Sequence, residues 1–265
     1  MILNAIKRRV NMKSVLITGG ERNSGLGIAR KFLSEGWTTV ITSRNEEEVQ
    51  AKAAELQKEF NVPCYGFGFQ PIDAVNDTDR LFEKIEKEGI ELDALVCVAA
   101  DLGRWMDPLT VDAQAWADVL TTNVVGYFVP ARAAVNQMLR TGKANGGSIV
   151  FIGSINYING LPERSAYMAS KGAISSMTKA LAIDFGQYGV RVNCLAPGAI
   201  WTTRYDEMDA EEAERRREII PLKAFSTKES MGEHAFFMAS EKSHPMTGST
   251  VIVDGGATAV VNGAY

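Results

Sequence analysis

Cysteine is scarce: the chain carries three, Cys64, Cys97 and Cys194, odd in number, far apart and without CxxC spacing. That excludes a disulfide framework and a thiolate metal centre as organising devices, and it suits a reducing, cytoplasmic setting. Cys97 and Cys194 fall inside apolar runs, where a cysteine serves as a small buried hydrophobe. No stretch approaches the roughly 18 to 20 apolar residues that span a bilayer, so no membrane partner is expected. The first residues carry Lys7, Arg8 and Arg9 without an adjoining apolar run, unlike a signal peptide. Residues 1–11 therefore read as an N-terminal extension, with Met12 a candidate start. Excess charge of one sign is also missing, since 28 Lys and Arg are interspersed with 32 Asp and Glu. No nucleic-acid footprint results. The densest run, Asp206 to Glu218, mixes acids with Arg215, Arg216 and Arg217 and reads as a solvated helix. Linkers rich in Pro, Gly or Ser, internal repeats and low-complexity tracts are lacking too.

What is present is a chain of 265 residues, 46% hydrophobic, enough for one compact α/β domain over 12–265. Short β-branched runs recur at Ser14–Thr18, Thr39–Thr42, Cys64–Phe69, Ala94–Val98, Ser148–Ile152, Val190–Leu195 and Ser249–Val253. They are nearly continuous apolar runs, as parallel strands covered on both faces require. Helical periodicity fills the gaps at Leu26–Ser34, Glu46–Phe60, Thr78–Lys87, Asp112–Arg140, Ser165–Phe185 and Lys228–Ala239. Such alternation predicts a doubly wound, Rossmann-type parallel sheet of about seven strands with helices on both faces.

The first strand runs into Thr18-Gly19-Gly20-Glu21-Arg22-Asn23-Ser24-Gly25-Leu26-Gly27, and a helix follows. Glycines at a strand-to-helix turn let backbone approach a pyrophosphate, whose charge the helix N-terminus favours. Other glycine-rich loops share this composition; the position after the first strand of an alternating pattern favours a nucleotide. The second strand ends Ile41-Thr42-Ser43-Arg44. Sites that prefer NAD usually offer an acid here to the adenosine ribose. Ser43 and Arg44, with Arg22 in the glycine loop, instead suit a 2′-phosphate, which needs guanidinium donors. The alternative is that these arginines are simply solvated.

Ser154 follows the fifth strand, and Tyr167 comes thirteen residues later, with Lys171 four beyond it on the same helical face. Alone, such a Tyr–Lys pair can be an ordinary surface contact. The wider pattern resembles the short-chain dehydrogenase/reductase family from about Met12 to Gly256. It shows the glycine loop, Asp73 after the third strand, Asn123, Ser154, Tyr-x-x-x-Lys, and Pro197-Gly198 after the sixth strand. Thr247-Gly248 and Val253-Asp254-Gly255-Gly256 match the family's last strand.

The resemblance implies hydride transfer between NADP(H) and a carbonyl or secondary alcohol. Tyr167 would be the acid/base, and Lys171 would favour its phenolate and hold the nicotinamide ribose. Ser154 would orient the substrate oxygen, and Asn123 would support Lys171 through a water. A free tyrosine, with a pKa of about 10, is a poor base near neutrality, which is why the neighbouring ammonium matters. Cofactor contacts would come from Gly19, Arg22, Asn23, Gly25, Leu26 and Gly27 in the loop. Ser43 and Arg44 would meet the 2′-phosphate, with Asp73 and Ala99 elsewhere on the adenosine side. Asn123, Tyr167, Lys171, Pro197, Gly198, Ile200 and Thr202 would line the nicotinamide side. No metal is implied.

Two departures stand out. Five residues, Gly20 to Ser24, separate the first glycine from Gly25-Leu26-Gly27, two more than the family generally has. After the fourth strand Cys97-Val98-Ala99-Ala100 replaces the usual Asn-Asn-Ala-Gly. Neither removes a catalytic group. Substrate walls are expected from Trp105, Asn156, Tyr157, Trp201 and Tyr205 beside Ser154 and Tyr167, with Met106, Ile155 and Met208 nearby. Their aromatic and apolar character favours a medium-sized ketone or cyclic alcohol. The alternatives are an NAD-linked alcohol or polyol dehydrogenase and a non-catalytic nucleotide-binding regulator. Resemblance also implies a homotetramer or homodimer, with an apolar tail at Ala257–Tyr265 available for contacts.

Overall fold

A computed structural model of the chain describes residues 12–103, 106–203 and 208–260. Seven strands form one parallel sheet: β1 (Ser14–Thr18), β2 (Thr38–Ser43), β3 (Cys64–Gly68), β4 (Ala94–Cys97), β5 (Ser148–Ile152), β6 (Arg191–Pro197) and β7 (Thr250–Val253). Their spatial order is β3-β2-β1-β4-β5-β6-β7. The direction of winding reverses between β1 and β4, the switch point at whose carboxyl ends open α/β sheets place their ligand crevice.

Alternation along each strand divides the core between the two faces of the sheet. Leu16, Leu95 and Phe151 pack with Leu81, Tyr127, Met138 and Ile174. Val15, Ile17, Val96, Val150 and Ile152 pack with Ile28, Phe32, Met231 and Phe236 on the opposite side. The helices are α1 (Asn23–Ser34), α2 (Glu46–Phe60), α3 (Ala74–Lys87), α4 (Ala113–Leu120), α5 (Gly126–Thr141), α6 (Ser165–Gly186), α7 (Ala210–Glu218) and α8 (Lys228–Ala239). The charge run seen in the sequence contains α7, whose arginines pair with acids one turn earlier.

Local chemistry sets several boundaries. Asn45 caps α2 by accepting from the N–H groups of Glu47 at 3.1 Å and Glu48 at 3.3 Å. A reciprocal pair between Thr227 and Ser230 starts α8. Where periodicity suggested one helix over Asp112–Arg140, the chain instead forms α4, a π-helical turn at Thr121–Val125, and then α5. The wider turn alters the direction of the helix face, and it leaves Asn123 fully buried. Helix α1 begins at Asn23 and α3 at Ala74, both earlier than their apolar periodicity begins.

The far end of the sheet is fastened by Arg191, which the sequence pattern does not single out. Its buried guanidinium donates to the carbonyls of Met238, Ala239 and Ser240 at the C-terminus of α8, and to Met246 O. Carbonyls at a helix end lack intrahelical donors, so one planar cation satisfies several. Helix α8 in turn packs closely on α1. A Cβ on Gly27 would lie 2.0 Å from Lys228 O, so only glycine permits this approach.

Candidate active site

The end of β5 organises the chemistry. The Gly153 N–H donates to Leu195 O on β6 at 2.7 Å. In a trans peptide the carbonyl of Ile152 must then point the opposite way, toward β4. The β4–β5 register ends at Cys97 and Phe151, and the N–H groups of Val98 and Ala99 turn to Thr18 O. The Ile152 carbonyl is thereby left outside the ladder. Lys171 fills this position, donating from Nζ at 2.9 Å.

Lys171 lies on α6, one helical turn beyond Tyr167, and only 2% of it is exposed. Its Nζ sits 5.5 Å from the Tyr167 ring centroid and 5.7 Å from that of Tyr127. Burial pulls the lysine pKa down to about 8, while the negative character of neighbouring Cys194 when ionised would raise it. The carbonyl and the two ring faces also favour the cation. Tyr167 itself is half-buried in the first turn of α6.

Ser154 stands two residues beyond Ile152, buried, at the start of a tight turn over Ile155–Tyr157. Its Oγ accepts from Asn156 N–H at 3.2 Å, which fixes the hydroxyl beside the strand end. Asn156 and Tyr157 are half-buried in that turn, which packs against α6. The Asn123 carboxamide bonds to both sides of the Asp101 backbone, accepting at 2.7 Å and donating at 2.8 Å. It also donates to Ser170 Oγ at 2.9 Å, and Ser170 in turn donates to Tyr167 O at 2.6 Å. The side chain of Asn123 thus ties the loop after β4 to the Tyr167 turn.

The other end of the crevice is the glycine turn. Gly19 has φ +72°, and a Cβ on Gly25 would lie 1.9 Å from Gly19 O, so the turn closes tightly upon itself. The Gly20 N–H donates to Thr42 O at 3.1 Å, which fastens the turn to β2. The side chain of Arg22, at the cap position, makes no capping bond to the first turn of α1. Leu26 is half-buried in it, and Gly27 faces α8. Arg22 is exposed, with Nε 3.3 Å from Glu21 Oε1, while Glu21 Oε2 is buried without a partner among the described residues. Ser43 is buried and Arg44 exposed at the end of β2. Ala99 packs directly beside Gly19.

Asp73 is exposed and accepts from Asn76 Nδ2 at 2.6 Å; the buried acid of this segment is Asp77, bonded to Gln70 N–H at 2.7 Å. Beyond β6, Gly198 abuts Asp254 and Ile200 bridges to Ser226. Thr202 is half-buried, and its neighbour Thr203 donates from Oγ1 to Asn23 Oδ1 at 3.2 Å. The lengthened glycine turn thus reaches, through Asn23, the segment after β6. Trp201 is partly exposed and lies against Phe225, with ring centroids 5.6 Å apart. Trp105 and Tyr205 lie outside the described residues, as does the tail beyond Val260.

A switch point with a glycine turn on one side and a buried lysine beside a half-buried tyrosine on the other is the arrangement of an oxidoreductase on a dinucleotide-binding fold. Comparison with known proteins fixes the family. The family model described as enoyl-(acyl carrier protein) reductase matches residues 20–258. A relative, 2-(S)-hydroxypropyl-CoM dehydrogenase 3 of Xanthobacter autotrophicus, is 32% identical, covering 96% of this chain and 100% of its own. The solved gluconate 5-dehydrogenase of Burkholderia cenocepacia, in complex with NADP and tartrate, is 27% identical with TM-score 0.86, covering 94% and 96%. A 3-oxoacyl-[acyl-carrier protein] reductase of Brucella melitensis with bound NAD is 28% identical with TM-score 0.82, covering 92% and 90%. The chain belongs to the short-chain dehydrogenase/reductase family, and its reaction is hydride transfer between a nicotinamide cofactor and a carbonyl or alcohol.

Proposed function

We propose that the chain is an NADP(H)-dependent reductase of medium-sized ketones, acting through Tyr167, Lys171 and Ser154. The observation that carries this reading is the placement of the Lys171 ammonium, buried between two tyrosine rings at the free end of β5. The glycine turn fits a dinucleotide: Arg22 makes no capping bond to the first turn of α1, and there is no space for a Cβ on Gly25. When bound there, the cofactor supplies the hydride. Gly19, Asn23, Gly25 and Leu26 would hold its diphosphate, while Gly27 acts by allowing α1 to pack on α8. Asp73 and Ala99 would border the adenosine, and Pro197, Gly198, Ile200 and Thr202 the nicotinamide.

During reduction Tyr167 gives its phenolic proton to the oxygen of the reduced carbonyl. The Lys171 ammonium stabilises the phenolate left behind and donates to the nicotinamide ribose. Ser154 Oγ hydrogen-bonds the substrate oxygen, since its position is already set by Asn156. Asn123 acts through position, holding the loop after β4 and the Tyr167 turn together. Asn156, Tyr157 and Trp201 would border the substrate, with Trp105 and Tyr205 continuing the wall.

Arg44 is the principal candidate for the 2′-phosphate, with Ser43 beside it, because Glu21 already engages Arg22. A second reading has one observation in its favour. Glu21 Oε2, buried and without a partner among the described residues, suits a ribose hydroxyl and would repel a phosphate, as NAD would require. Oxidation of NADPH and of NADH, followed with a panel of ketones, sugars and acyl thioesters, decides both substrate and cofactor. Preference for NADH would transfer the assignment to an NAD-linked dehydrogenase; turnover with no carbonyl would sink the catalytic reading.

A homotetramer or homodimer is the expected assembly. Ile183 on α6 and Ile219 and Leu222 after α7 are largely exposed in the single chain, and burying such side chains favours association. Light scattering at micromolar concentration should give a mass above one chain, and a monomer would refute it.

A further inference from the structure

Tyr127 has no place in the proton transfer just described, yet it touches the same carbonyl. It lies on α5, four residues beyond Asn123, and is fully buried. Its hydroxyl donates to Ile152 O at 3.3 Å, the atom that also accepts from Lys171. Its ring stacks on Phe151 with centroids 5.6 Å apart and lies 5.7 Å from the lysine Nζ. A lysine has four rotatable bonds and a strongly hydrated head, and in a dry site it keeps neither position nor charge without partners.

We propose that Tyr127 is a positioning residue for Lys171: its ring is a platform for the ammonium, and its hydroxyl anchors that ring to the Ile152 carbonyl. The inference rests on the assignment of Lys171 to the proton-transfer site. Two observations support it independently of each other. The Ile152 carbonyl is left outside the sheet ladder because β4 ends one residue earlier, and it has two lone pairs for its two donors. The ring face, in turn, supplies an attraction for a cation where water has been excluded.

The titratable groups around the lysine among the described residues are Tyr167 on its own helix, Tyr127 on α5 and Cys194 on β6. Burial pushes the Cys194 thiol up to about 11 and the Tyr127 phenol well above its ordinary value. Neither titrates between about pH 6 and pH 9.5, so the window is left to Lys171, at about 8, and to Tyr167, whose phenolate the same ammonium favours; Tyr167→Phe removes that second group.

The test is NADPH affinity as a function of pH, measured by fluorescence titration, alongside the pH profile of kcat/KM and the thermal midpoint. Wild type, Tyr127→Phe, Tyr127→Met and Lys171→Ala would be compared, with NADPH binding measured also in Tyr167→Phe and Tyr167→Phe/Tyr127→Met so that only the lysine limb is read. Removing the ring in Tyr127→Met should move the alkaline limb of binding down by about half a unit to one unit. Tyr127→Phe keeps the ring but loses its anchor, and should move the limb in the same direction by less than half as far. If Tyr127→Met weakens binding equally at every pH, or Tyr127→Phe moves the limb as far as Tyr127→Met does, the platform role is overturned. An alkaline limb that persists in Lys171→Ala but is absent from Tyr167→Phe would instead overturn the assignment of the limb to Lys171. Should Tyr127→Met not fold, Tyr127→Leu replaces it under the same criteria.

Discussion

The two ends of the crevice contrast in how their polar groups are satisfied. Around β5 the groups are closed among themselves: Lys171 on Ile152, Asn123 on Asp101 and Ser170, Ser170 on Tyr167, Ser154 on Asn156. At the glycine turn Arg22 makes no capping bond to α1, one Glu21 oxygen has no partner among the described residues, and Arg22 and Arg44 face solvent. On the proposed reading the first arrangement is preorganised for chemistry, since its dipoles need no reordering when charge develops, and the second leaves cofactor choice to exposed side chains. Chemistry and cofactor choice should therefore separate under mutation.

The largest effect tests the closed end. Tyr167→Phe should lower kcat by about 10²- to 10⁴-fold, the usual worth of a positioned acid/base, while NADPH affinity stays within about twofold. Steady-state kinetics with a fluorescence titration reads both. Retention of more than about a tenth of kcat would break the contrast by removing the acid/base from this end.

A somewhat smaller effect concerns the cost of burying Lys171. Its folded pKa of about 8 lies below the ordinary 10.5, so between those values the unfolded chain binds a proton that the folded chain does not. Stability should accordingly rise with pH through that window and be lowest below pH 8. At 1.36 kcal/mol per unit the interval corresponds to about 3 kcal/mol. Lys171→Met should thus be inactive yet more stable than wild type at pH 7, with the advantage fading toward pH 10.5. Denaturant midpoints at pH 7 and pH 10 check this. A variant less stable at pH 7 would show that the carbonyl and ring contacts outweigh desolvation.

The smallest effect belongs to the open end. A charge-assisted hydrogen bond to phosphate contributes about 1.5 to 3 kcal/mol, hence roughly a 10- to 100-fold preference for NADPH through Arg44. Ser43→Asp combined with Arg44→Ala should move kcat/KM toward NADH by that factor, with Tyr167-dependent chemistry intact. Arg22→Ala should change NADPH preference less than about threefold, because Glu21 holds that guanidinium. A larger change would mean that Glu21 releases Arg22 when cofactor binds, sharpening the view of this end as adaptable.

Much of this was legible in the residues. Continuous apolar runs bounded by helical periodicity identified the strands. Burial on both faces explains this for the inner ones, while the edge strands β3 and β7 are only partly buried and were legible from their place in the alternation. Tyr167 and Lys171 were legible as a pair because four residues is one helical turn. The π-turn was not, since α4 and α5 each keep an ordinary apolar stripe and the extra turn becomes visible only when Asn123 meets Asp101 and Ser170. Gly27 matched the glycine pattern, but the structure shows its packing role against Lys228, some 200 residues away. Tyr127 carried one signal, its spacing of four from Asn123, which means nothing until Ile152 is known to end beside it.

The sequence by itself determined the sheet, its helical cover and the chemical inventory of the crevice, because strand and helix periods and turn glycines are local properties of the chain. Only the tertiary structure decided that β4 stops one residue before Ile152. From that follow the free carbonyl, the seat of Lys171 and the platform beneath it. Those contacts join β4, β5, α5 and α6, and a balance of hydrogen bonds across four separate segments is written in no single stretch of sequence.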